Sequence, residues 1–287
     1  MRSYIVIIIA SLLGSYLESL WPPHIEENGS CTVRPLSRNS VRIRVAQWNI
    51  GKLNMGRPGI TSITKDNRDT KLREYNRLLN EVRADVFCFN EYAPYFSLKD
   101  SINEDTLDLT RIAMLSMYSN CQYGKRYGAN CNCIATAGFR QTNLLSHIYK
   151  KKKQQRYYSF CDIHLNGQTV KIVSTHLELP KYKLERESEI KELLKAFEMD
   201  PYVIICGDFN VQDVTEYNVF SLNGYVMANH GFMGDIVTYP NKSGGRCLDN
   251  ILCKGFDVLG VDVYKTRLSD HYIIACDVVM RGGKSHY

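Results

Sequence analysis

No run of about 20 consecutive apolar residues, the length a helix needs to cross a bilayer core, occurs in this 287-residue chain. Internal repeats and low-complexity tracts are also missing, which excludes repeat arrays and compositionally driven disorder. Cys131-x-Cys133 has no matching second pair, so a structural zinc site is excluded. No lipobox-like residues precede Cys31, where the chain reads Asn28-Gly29-Ser30, and this excludes lipidation there. A large charge excess is absent too. The formal net charge is +6 and the pI about 8.7, compatible with an anionic substrate or a membrane surface and demanding neither.

The N-terminus carries a location signal. Arg2 precedes the apolar run Tyr4–Leu13, followed by Gly14, Ser15 and Ser19. That order reads as a secretory signal peptide or an uncleaved N-terminal anchor over residues 1–19, and so as an exported protein: secreted, periplasmic or membrane-anchored. Ten cysteines agree with export. Cys88, Cys206 and Cys276 lie in strand-like apolar runs and read as inert buried thiols, whereas Cys121, Cys131, Cys133 and Cys247 are the disulfide candidates. Asn28 and Asn241 stand in glycosylation sequons.

What the chain does have is a recurring pattern of short apolar runs next to polar clusters. Tyr202-Val203-Ile204-Ile205-Cys206 stops at Gly207-Asp208-Phe209-Asn210. Val41–Trp48 alternates apolar and polar residues and reaches Asn49; Asp85–Phe89 is followed by Asn90-Glu91; Thr169–Ser174 leads into Thr175-His176. Ser269-Asp270-His271 precedes Tyr272–Cys276, and Leu248–Leu252 holds Asp249 in an apolar context. Such runs read as buried strands that deliver polar groups to one edge of a sheet, where open α/β sheets place their active sites.

A single Asp or Asn after a strand is ordinarily a turn or cap residue, and His147, His164, His230 and His286 are assigned no role. The joint set is different. Asn49, Glu91, His176, Asp208, Asn210, Asp249, Asp270 and His271 supply four carboxylates, two imidazoles and two amides. Hard divalent cations take oxygen ligands, with substrate phosphate completing the shell, and histidines beside them move protons or hold phosphate oxygens. The chemistry that suits this set is metal-assisted hydrolysis of a phosphate ester.

Six motifs in this order, Trp48-Asn49, Glu91, Thr175-His176, Gly207–Asn210, Leu248-Asp249 and Ser269–His271, resemble the endonuclease/exonuclease/phosphatase superfamily of deoxyribonuclease I-like enzymes. The resemblance spans residues 41–280, with a linker over 20–40 and a tail over 281–287. It implies a four-layer α/β sandwich: two mixed β-sheets packed face to face, with helices outside. It also implies roles. Glu91 is the main metal ligand, with Asn49 and Asp270 close to the ion; Asp208 and Asn210 orient water and the scissile phosphate; His176 contacts the phosphate or leaving oxygen; Asp249 orients His271. Mg²⁺ is the implied cofactor, with Mn²⁺ the alternative and Ca²⁺ a structural ion. One strand departs from the family: Asn130–Ala137 keeps an asparagine, Asn132, as a substrate contact but lacks the Ser-Arg ending.

Helical periodicity marks Asp69–Arg83 and Leu184–Phe197, and Asp105–Asn132 reads as a helix that becomes a loop. The Gly-, Asn- and Thr-rich loop 51–67 follows the first motif and is expected beside the mouth. Lys150–Lys153 reads as a solvated hairpin tip, with Lys151 and Lys152 as phosphate contacts if it faces a polyanion. A monomeric nuclease is the first expectation. A phospholipid or inositol-phosphate phosphoesterase working at a membrane surface is the alternative, and a non-catalytic binding module is disfavoured because every polar position the chemistry needs is present.

Overall fold

The alternating run at the start of the domain forms the centre of one of two six-stranded sheets. In the computed structural model, residues 41–51, 68–92, 95–97, 106–108, 120–123, 132–150, 153–154, 156–232, 235–241 and 243–281 are described. Their elements run β1 (Arg42–Asn49), α1 (Arg68–Val82), β2 (Val86–Asn90), β3 (Tyr95–Ser97), β4 (Thr106–Asp108), β5 (Asn120–Tyr123), β6 (Cys133–Thr136), β7 (Thr142–Ile148) and β8 (Tyr157–Leu165). Then follow β9 (Gln168–His176), α2 (Lys183–Ala196), β10 (Val203–Asp208), α3 (Asn218–Leu222), β11 (Tyr225–Met227), β12 (Asp249–Lys254), β13 (Phe256–Tyr264) and β14 (Ile273–Met280).

The first sheet has the order β13-β14-β1-β2-β6-β5 and the second β11-β12-β10-β9-β8-β7. Each is mixed, because each holds one parallel pair, β1/β2 or β9/β10, among antiparallel neighbours. Side-chain alternation then sorts the core into three apolar layers. On α1, Tyr75, Leu78, Leu79 and Val82 pack onto Trp48, Phe87 and Phe89. Ile190 and Leu193 on α2, with Phe197 just after it, pack with Val173, Val203 and Ile205. Between the sheets lie Ile43, Val45 and Ile134 with Ile172, Ile204 and Ile251. Helix, sheet, sheet and helix make the expected four-layer sandwich.

Cys88, Cys161, Cys206, Cys253 and Cys276 all lie in the layer between the sheets, where burial pushes the Cys206 thiol well up. Cys247 is a free thiol, so that disulfide expectation fails; Cys133 sits in β6, not in a loop. The segment expected to begin as a helix at Asp105 instead puts Thr106–Asp108 into an antiparallel pair with Tyr95–Ser97. Strand pairing has overridden the helical reading there. Residues 1–40, 52–67 and 282–287, with Lys151 and Lys152, lie outside the described residues. No described helix is long and apolar enough to cross a membrane.

Gly207 shows why the motif at the end of β10 begins with glycine. A Cβ there would meet the Thr175 carbonyl oxygen of the parallel neighbour β9 at 2.3 Å. Backbone cannot yield as a flexible side chain can. Gly207→Ala should cost about 2–4 kcal/mol in a denaturant titration, by analogy with other overpacked buried sites. A loss within experimental error would show that the β9–β10 spacing is not set by this contact.

Candidate active site

The carboxyl ends of both parallel pairs meet at one edge of the sandwich, and Asp208 at the end of β10 is the centre of that meeting. Its backbone N–H donates to Asn90 Oδ1 at 2.8 Å, and its Oδ1 accepts from the Asn210 N–H at 3.0 Å. Its Oδ2 accepts from Asn49 Nδ2 at 3.0 Å and faces His176 Nε2 at 3.5 Å and His271 Nε2 at 3.7 Å. Burial, and then the charge of Asp249, push the Asp208 carboxyl up to about 7.

His271 Nδ1 lies 2.7 Å from Asp249 Oδ2. Asp249 is fully buried; its backbone N–H donates to Thr238 Oγ1 and its carbonyl accepts from Asn229 Nδ2, both at 3.0 Å. Burial alone would lower the His271 imidazole, but the charges of Asp249, Asp208 and Asp270 override it and raise it to about 9. The Ser269–His271 turn is clamped to β1, because Ser269 Oγ donates to the Asn49 carbonyl at 2.6 Å and Trp48 Nε1 to the His271 carbonyl at 3.1 Å.

Glu91 and Asp270 share this edge. Asn49 pairs with Asn90 in register, so Glu91 is the first residue beyond β2; it is buried and held at a φ of 51°. Asp270 is half-buried between the two clamped residues of its turn. Asn49 Oδ1 accepts from the Gly51 N–H at 3.0 Å, and Asn210 Nδ2 donates to the Leu177 carbonyl at 2.9 Å. The structure thus gathers Asn49, His176, Asp208, Asn210, Asp249 and His271 by direct contacts and places Glu91 and Asp270 beside them.

Asn132 is different. Its Nδ2 donates to the Tyr157 and Ser174 carbonyls at 3.0 and 3.1 Å, and its Oδ1 accepts from Asn90 Nδ2 at 2.9 Å. Both donor sites are committed within the protein, where the side chain braces the two sheets. Its partner Asn90 also donates to the Thr175 carbonyl at 2.9 Å and accepts from Gln47 Nε2 at 2.7 Å. This polar layer was not singled out in the sequence, because Gln47 sits inside an apolar run and Asn90 reads only as the neighbour of Glu91. Tyr239 was missed as well: its ring lies 4.9 Å from that of His271, and nothing local in the sequence marks it.

The hairpin between β7 and β8 is tied to the same edge. Glu178 Oε1 accepts from the Lys153 N–H at 2.7 Å and from the Gln154 N–H, and the Glu178 N–H donates to Glu189 Oε2 at 2.8 Å. Burial, and then the charge of Glu178, raise Glu189 from 4.5 to about 8 against the opposing hydrogen bond and arginine charges. Its carboxyl takes up a proton on folding between those values, so stability is greatest below the window and falls as pH rises through it. Glu189→Gln keeps the acceptor and removes the charge. It should raise the melting temperature by about 5 °C at about pH 9 and change it little at about pH 5. Equal shifts at both values would overturn this account.

The ligand atoms of Asp208, Asp249 and His271 lie within 4.8 Å of one another, a set able to take a cation. A cation among all three would break the His271–Asp249 bond, and an imidazole suits a hard ion poorly. The oxygen donors of Glu91, Asp270 and Asn49 fit a hard divalent ion better. Two further observations fit a positive charge at this edge. The charge of Asp249 pushes the Asp208 carboxyl up, and Gln47 Oε1 is buried without a hydrogen-bond partner.

No curated protein matches the chain. Among solved structures it is similar to D. rerio TDP2 complexed with a single-strand DNA product, at 16% identity and a TM-score of 0.64 over 83% of this chain and 98% of that one. It is also similar to the human Nocturnin catalytic domain with bound sulfate, at 18% identity and a TM-score of 0.62 over 88% and 97% of the two chains. ANGEL2, a 2′,3′-cyclic phosphatase in complex with adenosine-2′,3′-vanadate, gives 12% identity and a TM-score of 0.63 over 88% and 100%. At these identities the likeness speaks for a shared deoxyribonuclease I-like fold. The model of the Endonuclease/Exonuclease/phosphatase family matches residues 46–271, from β1 to the last histidine of the site, and the chain belongs to that family of phosphoric ester hydrolases.

Proposed function

We propose that this protein is a Mg²⁺-dependent phosphodiesterase acting on nucleic acid. The observation that carries the reading is the surround of Asp208: one buried carboxylate faces Asn49, His176 and His271 within 3.7 Å, with Asp249 behind His271. Water aligned by Asp208 attacks the phosphorus and passes its proton to that carboxylate. His271, held as imidazolium by Asp249, and His176 donate to the phosphate oxygens as charge grows on them. Asn210 fixes the Asp208 carboxylate through its backbone N–H. A divalent cation bound by Glu91, with Asp270 and Asn49 beside it, would supply Lewis-acid polarisation and stabilise the leaving oxygen.

Support for a nucleic acid comes from the neighbours whose ligands are a DNA product and an adenosine vanadate, and from the basic run Lys150–Lys153 in the sequence. The apolar N-terminal run fits export. The experiment is cleavage of plasmid and single-stranded substrates by the full chain in Mg²⁺ and in EDTA, alongside Asp208→Asn. Cleavage should require the metal and fall about 10³-fold or more in the variant. Near-wild-type rates in Asp208→Asn would sink the role given to that residue. Turnover of phospholipid or small phosphate esters with no cleavage of nucleic acid would sink the substrate reading.

A further inference from the structure

A cleft of about 370 Å³ opens beside the site, between the segment 235–244 and the edge strand β13. Its walls include Ile236, Val237 and Val263, with Asp235 and Lys265 at its polar positions. Two links tie it to the site. Tyr272, which lines the cleft, follows His271 and donates its N–H to the Thr238 carbonyl at 2.6 Å. Pro240, which also lines it, follows Tyr239, whose ring leans on that of His271.

The cleft is preformed. Tyr239 and Arg246 exchange backbone hydrogen bonds of 2.9 and 2.8 Å. Asn241 Oδ1 accepts from the Ser243 and Gly245 N–H groups at 2.8 and 3.0 Å. Gly245 packs so closely on Val237 that a Cβ would approach it to 2.3 Å. Asp235 is anchored by His230 Nδ1 at 2.7 Å.

The lining chooses among ligands. A second phosphate would have to face the Asp235 carboxylate, and a lipid chain would lay hydrocarbon against the half-buried Lys265. A flat heteroaromatic ring suits aliphatic walls, and an acceptor and a donor at their rim match the amino and carbonyl or ring-nitrogen edge of a nucleobase. The volume lies within the range of small-molecule sites. We propose that this cleft receives the nucleobase next to the phosphate being hydrolysed. The inference rests on the nucleic-acid reading above and names a subsite for it.

The test uses the full chain and two readouts. Equilibrium binding of nucleoside monophosphates is compared with that of ribose 5-phosphate, and cleavage of a single-stranded oligonucleotide is compared with one carrying an abasic residue beside the scissile position. The base should improve both by about tenfold or more. Val237→Trp, which fills the cleft, and separately Lys265→Ala, at the rim, should bring both ratios toward one. Ratios near one in the unaltered protein, or ratios that neither variant changes, overturn the proposal even if nucleic acid is cut. A base-dependent binding ratio without oligonucleotide cleavage keeps the cleft, as a site for free nucleotides, and removes the polymer as substrate. Preference for the intact over the abasic oligonucleotide assigns the base to the polymer.

Discussion

Asp249→Asn should lower turnover by about 10²–10⁴-fold while leaving a folded protein, since removing the carboxylate that orients a catalytic histidine has effects of that size. The substitution is isosteric, and the fully buried site keeps its Thr238 and Asn229 contacts, which run through the Asp249 backbone. What is lost is the charge that holds the His271 proton against burial. The amide can also turn its nitrogen toward Nδ1 and so favour the wrong tautomer. Steady-state rates with saturating metal, beside a melting curve, check this. A fall smaller than tenfold with an unchanged melting curve would mean that His271 acts without its acid partner.

Asn90→Leu should cost about 4 kcal/mol of stability, and activity with it. The leucine would fill the volume but strand the Asp208 N–H, the Thr175 carbonyl and Asn132 Oδ1 away from water, and would leave Gln47 Nε2 only its long 3.4 Å bond to Asp249 Oδ1. Each stranded group costs about 1–3 kcal/mol, moderated by relaxation. Denaturant titration measures the loss, and the Asp208 anchor adds a fall in turnover beyond that of destabilisation alone. A loss under about 1 kcal/mol would mean that the layer is not cooperative.

The residues delivered to the catalytic edge were legible because each ends or flanks a strand, where a period of two breaks off at a polar cluster. Asp249 was legible for a different reason: an acid inside an apolar run must be paired, and His271 is its partner. Asn90 and Asn132 were harder to read. Their importance lies in partners on the other sheet, as with Asn90 and Thr175, 85 positions apart, and no local periodicity encodes such a distance. Asn132, expected as a substrate contact, has a cross-sheet bracing role that its local sequence does not mark. Tyr239 depends on how a long connection folds back over His271. The short strand Thr106–Asp108 exists only through its partner Tyr95–Ser97, so helical spacing misread it.

The pairing of β1 with β14 has a consequence for how the domain connects to anything else. Arg42 lies opposite Val279, so the first and last strands begin and finish side by side. They do so at the far pole from Asn49 and His271, which stand where β1 ends and just before β14 begins. A fusion partner joined directly to either of those two strand ends is therefore held behind the enzyme, and the catalytic mouth looks outward from it. Joining those adjacent strands and opening the chain in a surface turn would reorder the sequence without moving the site.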